Sequence, residues 1–229
     1  MNRVVDRMVG RVVGRMVTTI RPTTGPQPAH NTKMVLGITG ISGSGKHTAA
    51  QFFRKKGWII LDTDKIAHYL YRPYTGVWKA IVREFSEKIL NQDDTINRVK
   101  LGKIVFNASK PKEAHAALHR LNQIIHPYIK RHIKNEIHRH FRRKSNIAIV
   151  VALWREAGLK DCCDKMLLLR ADPGLRSKRI QGRDGISPET YEMRIKNQTE
   201  PPHSDFAVEN NGTLKELNEK LDEIVSEIG

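Results

Sequence analysis

Short runs of apolar residues alternate with longer segments of helical periodicity from Met34 onward. The apolar runs predict buried strands over 34–39, 58–61, 147–151 and 165–169, with a weaker strand over 206–208. The segments between them predict helices, of which the longest spans about 111–143. Regular alternation of strand and helix favours a parallel sheet covered on both faces. The sequence therefore predicts one α/β domain.

The first 33 residues differ in composition from the rest of the chain. They carry five arginines and one lysine against a single acid, Asp6, with pairs of Val and Met between the arginines. A helix here would have a basic and an apolar face, as transit peptides and membrane-surface anchors have. A disordered extension is favoured instead by Gly10 and Gly14, which weaken a helix, and by the linker over 21–33, which is rich in Pro and Gly. We therefore expect an extension over 1–33, a domain over 34–229 and a cytoplasmic location, with import into an organelle through 1–33 as the alternative.

A glycine-rich segment follows the first predicted strand and opens a helix. Gly40-Ile41-Ser42-Gly43-Ser44-Gly45-Lys46 fits GxxxxGK, the first seven positions of the phosphate-binding loop GxxxxGK[ST]. Glycines let successive backbone N–H groups turn toward phosphate oxygens, and the helix N-terminus adds its positive end. The Lys46 side chain reaches the terminal phosphates as a mobile charge. The motif predicts a nucleoside-triphosphate site built from Ser42, Gly43, Ser44, Gly45 and Lys46.

His47 occupies the position from which a hydroxyl normally ligates Mg²⁺ in this motif. Imidazole is a poor ligand for a hard ion that prefers oxygen. The ion would then be held through water, through Thr48 or through carboxylates further along the chain, or the loop would be impaired. Thr48 and Asp62 are the expected metal ligands.

Two carboxylates, Asp62 and Asp64, follow the second predicted strand. Open parallel sheets bind ligands at the carboxyl ends of their strands, so both can share a crevice with the phosphate-binding loop. One carboxylate can accept a proton from an attacking hydroxyl while either helps to hold Mg²⁺. The alternative is that Asp62 or Asp64 caps a helix beginning near Lys65. The phosphate-binding loop upstream favours the functional interpretation.

Composition and charge narrow the class of protein and its partners. Hydrophobic residues make up 39% and charged residues 28% of the 229, and no apolar stretch approaches the ~18 residues of a membrane-spanning helix. We therefore expect a soluble protein with a packed core. The formal charge of +16 predicts anionic partners: nucleic acid, anionic membrane or phosphorylated small molecules. The segment 111–144 holds nine Lys and Arg, which favours a solvated basic face. Nucleic-acid binding and attraction of an anionic substrate are less favoured alternatives.

Several motifs in the order and spacing found here resemble those of the dephospho-CoA kinases. The resemblance covers roughly residues 34–224, nearly all of the chain after the extension. It rests on Gly37 to Lys46, Asp62 to His68, Ile96-Asn97-Arg98 to Phe106, His126-Pro127, Glu156-Ala157-Gly158, Arg179 to Asp184, Gln198, and Asp205 to Gly212.

The resemblance implies a P-loop kinase of the nucleoside-monophosphate-kinase type. Its three-layer α/β fold would have a parallel sheet, a helical acceptor-binding part and a small lid. The implied reaction transfers the γ-phosphate of ATP, with Mg²⁺, to the ribose 3′-hydroxyl of dephospho-CoA and completes coenzyme A synthesis.

The same resemblance implies roles for individual residues. Asp64 would be the general base, with Lys46, Asp62 and Arg179 as the other catalytic residues. Arg179 and Arg183 in the lid lie four residues apart and would share one face of a helix. The other implied contacts are His47, Thr48, Arg183 and Asn210 on the ATP side and Asp62, His68, Arg98 and His126 on the acceptor side.

Two departures from the family pattern favour alternative functions. One is His47, and the other is Ala152-Leu153-Trp154-Arg155-Glu156, which stands where the family has a Pro-Leu-Leu run before its glutamate. The altered run favours a kinase of another nucleoside or nucleotide acceptor. His47 and the basic charge favour a catalytically weak nucleotide-binding protein associated with nucleic acid.

Overall fold

A five-stranded parallel sheet lies at the centre of the computed structural model, which describes residues 33–107, 109–142, 145–151, 158–196 and 198–228. The described strands lie in the order β2-β3-β1-β4-β5, and all neighbours are parallel. The predicted strands are confirmed, with ends that differ by one residue. Their bounds are β1 Val35–Thr39, β2 Ile59–Asp62, β3 Ile147–Val150, β4 Lys165–Arg170 and β5 Phe206–Glu209.

Helices connect the strands and cover the sheet. Short 3₁₀ turns lie at Glu87–Ile89 and Lys160–Cys162. Within the described ranges, no helix combines the length and the apolar character that a membrane crossing requires. The helices are α1 Lys46–Lys55, α2 Thr63–Leu70, α3 Gly76–Phe85, α4 Arg98–Val105, α5 Pro111–Phe141, α6 Pro173–Asp184, α7 Pro188–Ile195 and α8 Leu214–Ile228.

Both faces of the sheet are buried, because successive side chains of a strand point to opposite sides. Val35 of β1 packs into a core formed with helices α2 to α5. Leu36 and Ile38 of the same strand pack into a second core with α1 and α8. Burying each such Leu or Ile completely contributes about 1.5 to 3 kcal/mol. The predicted three-layer α/β architecture is confirmed.

Helix α5 forms much of the wall on one side of the sheet. Its 31 residues extend over about 46 Å. Leu121, Ile125, Ile129 and Ile133 form a buried stripe at intervals of four residues. The basic residues lie on its exposed or half-buried positions, as the interpretation of a solvated face requires. The binding of nucleic acid by this face stays a prediction.

The direction of the chain places a crevice at the carboxyl ends of the central strands. From β1 the chain passes to β2 and β3 on one side, and then crosses to β4 on the other side of β1. Ligands of open α/β sheets bind where the order reverses in this way. Residues 1–32 of the predicted extension over 1–33 lie outside the described residues, as does the run with Trp154, Arg155 and Glu156.

Candidate functional site

The phosphate-binding loop lies between the end of β1 at Thr39 and the start of α1 at Lys46. Gly43 has a φ of +90°, and a Cβ atom there would lie 2.6 Å from the backbone oxygen of Arg176. Gly45 has a φ of +102°, and a Cβ atom there would collide with the side-chain amide of Asn210. Both glycines are required because the backbone is left-handed and the neighbouring elements approach closely.

Lys46 is buried inside the turn of this loop, with 7% of its surface exposed. Its Nζ donates hydrogen bonds to the backbone oxygens of Gly40 at 2.5 Å and Ile41 at 3.3 Å. Burial lowers the pKa of Lys46 to about 8; the charge of Asp64 opposes this shift, whereas Arg183 and Arg194 add to it. Two carboxylates, Asp64 and Asp62, and two further cations thus lie around this ammonium group.

A cavity of about 560 Å³ opens beside the loop, within the size range of nucleotide and cofactor sites. One end is charged, and the other is lined by apolar side chains of α2 and α5, such as Ala67, Leu118 and Ile129. The structure brings the following predicted site residues into its wall: Ser42, Gly43, Gly45, Lys46, His47, Thr48, Asp64, His126, Arg179 and Arg183.

Asp62 and Asp64 differ in their surroundings. Asp62 is buried and caps α2, because its Oδ1 accepts hydrogen bonds from the backbone N–H groups of Asp64 and Lys65. Its Oδ2 lies 3.2 Å from Nε2 of His47. Burial would raise the pKa of Asp62, but these hydrogen bonds outweigh burial and hold it below its ordinary value. The capping alternative thus holds for Asp62, whereas the exposed Asp64 lines the cavity.

The position of these carboxylates is set by a buried hydrogen bond at the start of α2. Helix α2 begins at Thr63, two residues before the expected Lys65. The Thr63 hydroxyl donates to the backbone oxygen of Val150 at 3.0 Å, which ties the helix to the end of β3. Asp64 is therefore fixed over the carboxyl ends of β2 and β3.

Arginines of α6 and α7 close the charged end of the cavity. Arg179 donates to the backbone oxygen of Gly43 at 3.3 Å. Arg183 and Arg194 both donate to Asp184, and these hydrogen bonds, with that from Arg183 the largest, lower the Asp184 pKa to about 2. Arg194 lines the cavity but was not among the predicted residues. Sequence spacing does not indicate that Arg194 lines the cavity, because Arg194 and Arg183 lie on different helices.

Of the four predicted acceptor residues, His126 is the one that the structure places in the lining of the cavity. His126 lines the wall, next to Pro127, which interrupts the hydrogen-bond ladder of α5. His68 and Arg98 are not among the lining residues, but partial burial and then the charge of Arg98 lower the pKa of His68, with Asp64 opposing them. His68, Arg98 and Asp64 therefore lie within electrostatic reach of each other. Their contacts with a substrate stay a prediction.

Asn210 supports the phosphate-binding loop from behind. Its side-chain amide donates to the backbone oxygen of Ser44 at 2.8 Å, and its backbone N–H donates to Arg170. Ser44 is completely buried beside it. Neither Asn210 nor Ser44 is among the residues lining the cavity. The expected contacts of Asn210 with adenine and of Ser44 with phosphate stay predictions.

Gln198 and Tyr191 hold Ser42 in place. The backbone N–H of Ser42 donates to Gln198 Oε1 at 2.8 Å, and Gln198 Nε2 donates to the Ser42 hydroxyl at 3.0 Å. The buried Tyr191 hydroxyl donates to the Ser42 backbone oxygen at 3.2 Å. Gln198 is one of the residues on which the resemblance rests, but the resemblance assigns no role to it. Its hydrogen bond joins residues 156 positions apart, so no short sequence pattern indicates it. The segment after α7 is thus attached to the loop.

Replacement of Gln198 by leucine is expected to weaken nucleotide binding about tenfold. Two hydrogen bonds of about 0.5 to 1.5 kcal/mol each are lost, and Ser42 is no longer held in its loop conformation. Titration calorimetry with ATP measures the effect, and Gln51→Leu, on the exposed face of α1, is the control. An ATP affinity equal to that of the wild type would show that Gln198 does not position the loop.

Comparisons with known proteins agree with this geometry. The sequence profile of a family described as dephospho-CoA kinase matches residues 34–216. A dephospho-CoA kinase of Lactobacillus johnsonii is 36% identical over 199 residues, which cover 85% of this chain and 98% of the relative. The solved structure of TT1252 from Thermus thermophilus matches with a TM-score of 0.69 at 25% identity, covering 86% of this chain and 99% of that protein. A dephospho-CoA kinase from Campylobacter jejuni shares the fold, with a TM-score of 0.60 at 24% identity and coverage of 85% and 96%.

Proposed function

The chain belongs to the dephospho-CoA kinase family, and we propose that it transfers the γ-phosphate of ATP to the ribose 3′-hydroxyl of dephospho-CoA. The main support for this proposal is that one cavity is lined both by residues suited to the phosphates of ATP and by residues suited to an acceptor. Lys46 and the arginines line its charged end, and Asp64 faces the same space. An apolar wall from α2 and α5 continues away from them.

The donor side works by position and charge. Phosphoryl transfer leaves little covalent chemistry for the protein, so catalysis depends on alignment and on stabilisation of the charge that builds up on the transferred group. We assign the terminal phosphates to Lys46 and to the backbone N–H groups at the start of α1. Arg179 and Arg183, on one face of α6, would spread the negative charge of the transferring phosphoryl group.

The acceptor side supplies the proton acceptor. Asp64 is exposed to the cavity and does not cap α2, since Asp62 provides the cap. It is therefore free to accept the proton of an attacking hydroxyl while its charge interacts with Lys46. The apolar wall excludes water around the hydroxyl, which favours transfer to the acceptor over hydrolysis of ATP.

The donors near the loop only partly fit Mg²⁺, the ion that accompanies ATP in P-loop kinases. The Thr48 hydroxyl and the Asp62 carboxylate offer the oxygen ligands that Mg²⁺ prefers, but His47 presents an imidazole. Among the residues that the structure describes, no group of three His, Cys, Asp or Glu side chains could hold a metal ion. We propose that Asp62 would hold the ion directly and that Thr48 would hold it through water. When bound, the ion neutralises charge on the β- and γ-phosphates.

The affinity for ATP is expected to fall at alkaline pH. The pKa of Lys46 is about 8 in the free protein, and the negative charge of ATP must raise it. Above pH 8 the binding of ATP therefore takes up a proton, and the Kd rises by up to about tenfold per pH unit until the higher pKa of the complex is reached. At pH values well below this pKa Lys46 stays protonated, and its titration no longer changes the Kd.

Calorimetry in EDTA, in buffers of different ionisation enthalpy, measures this proton uptake. Lys46→Arg is the control, because its guanidinium stays charged and should remove the uptake. Uptake of the same size in Lys46→Arg would assign the proton to another group.

A comparison of acceptors tests the function itself. ATP consumption should be stimulated by dephospho-CoA well above the stimulation by adenosine, AMP or other ribonucleosides. Equal or greater stimulation by another acceptor would assign the kinase to that acceptor. No turnover with any acceptor, together with polynucleotide binding that weakens steeply with salt, would support the nucleic-acid alternative.

A further inference from the structure

His47 and Asp62 place a nitrogen and an oxygen atom side by side at the edge of the phosphate-binding loop. His47 lies in the first turn of α1, and Asp62 ends β2. Nε2 of His47 lies 3.2 Å from Oδ2 of Asp62. The histidine side chain is 52% exposed and lines the cavity, whereas the aspartate side chain is 9% exposed. The pair is therefore reached from the cavity through the imidazole.

The aspartate of this pair is held rigidly. Its other oxygen, Oδ1, accepts the backbone N–H groups of Asp64 and Lys65 at 3.0 and 3.3 Å. Carboxylates that ligate metals are commonly oriented by such hydrogen bonds on the second oxygen. Oδ2 is thus fixed in direction. When an ion binds, the hydrogen bond with His47 is lost, and the neutral imidazole must carry its proton on Nδ1 so that the lone pair of Nε2 is available.

The spacing of the two atoms suits one metal ion. Two ligands in adjacent positions of an octahedral ion, each about 2.1 Å from it, lie about 3.0 Å apart. The imidazole nitrogen also selects the kind of ion, since the affinity of nitrogen and oxygen sites rises from Mn²⁺ through Fe²⁺ and Co²⁺ to Ni²⁺. Mg²⁺ keeps its oxygen shell and loses water reluctantly.

We propose that His47 Nε2 and Asp62 Oδ2 together ligate the divalent ion that accompanies the nucleotide. The site then takes a first-row transition ion such as Mn²⁺ or Co²⁺ in preference to Mg²⁺. This inference rests on the proposed kinase function, because nucleotide phosphates and water must supply the remaining ligands. A hydroxyl at position 47 would offer only oxygen and would restore the preference for Mg²⁺.

Pulsed electron paramagnetic resonance of bound Mn²⁺ tests the proposal without relying on turnover. The protein is labelled with ¹⁵N-histidine and saturated with Mn²⁺ and ADP, so that nitrogens of adenine do not contribute ¹⁵N signals. The wild type should show coupling of ¹⁵N to the manganese, and His47→Ser should lose it. His119→Ser, which removes an exposed histidine of α5, should retain it.

Metal affinities give a second, independent readout. The ratio of the Mg²⁺ to the Mn²⁺ dissociation constant, measured in the ADP complex, should be about tenfold larger in the wild type than in His47→Ser. An equal ratio in both proteins would overturn the proposal, as would a wild-type Mn²⁺–ADP complex without ¹⁵N coupling. Failure of ADP to bind with any of the ions would overturn the kinase function and this inference with it.

Discussion

Replacement of Lys46 by alanine is expected to abolish turnover, with kcat reduced by about 10³-fold or more. The ammonium group of Lys46 is buried inside the loop turn, and we propose that it reaches the terminal phosphates. Removal of a cation that stabilises the transferring phosphoryl group costs at least as much as removal of one oxyanion-hole donor, about 10²- to 10³-fold. ADP formation in the presence of dephospho-CoA measures the loss.

Lys55→Ala is the matched control for this substitution, because Lys55 lies exposed at the end of the same helix. The melting temperature of Lys46→Ala should not fall much, since burial already disfavours the charged amine. A kcat within tenfold of the wild-type value would remove Lys46 from the mechanism.

Replacement of Asp64 by asparagine is expected to lower kcat by about 10²-fold or more while ATP binding is largely retained. Asparagine keeps the shape of the side chain but cannot accept the proton of the acceptor hydroxyl, and a positioned general base contributes about 10²- to 10⁴-fold. The cap of α2 is unaffected because Asp62 provides it. Single-turnover kinetics with dephospho-CoA, together with ATP titration, separate the two effects.

Asp161→Asn, at an exposed position far along the chain, controls for loss of one negative charge. A near-normal kcat in Asp64→Asn would show that another group accepts the proton. An equal loss in the affinity for ATP would instead assign Asp64 to the donor side.

The strands could be predicted from sequence because both faces of the sheet are buried. Each strand then contains a short apolar run, such as Ile147–Val150, which follows the polar Asn146. Strand β5 gave a weaker signal because only part of Phe206–Glu209 is fully buried. The strand order depends on the side to which each connection crosses the sheet, and no local sequence pattern indicates that side.

The site was predictable where its chemistry is local and not where it is assembled from distant residues. The phosphate-binding loop is one continuous motif, and Gly43 and Gly45 are explained by its backbone. The roles of Gln198 and Arg194 depend on the packing of α6 and α7, which sequence spacing does not reveal. The pairing of His47 with Asp62 arises because α1 and the end of β2 lie side by side.

The position of the transferred phosphate shows whether the ribose 3′-hydroxyl of dephospho-CoA is the acceptor. The protein is incubated with ATP labelled in the γ-phosphate and with either dephospho-CoA or its 3′-deoxy analogue. We expect labelled coenzyme A from dephospho-CoA, release of that label by a 3′-nucleotidase, and no labelled product from the analogue. Label transferred to the 3′-deoxy analogue, or label that the 3′-nucleotidase does not release, would contradict this expectation.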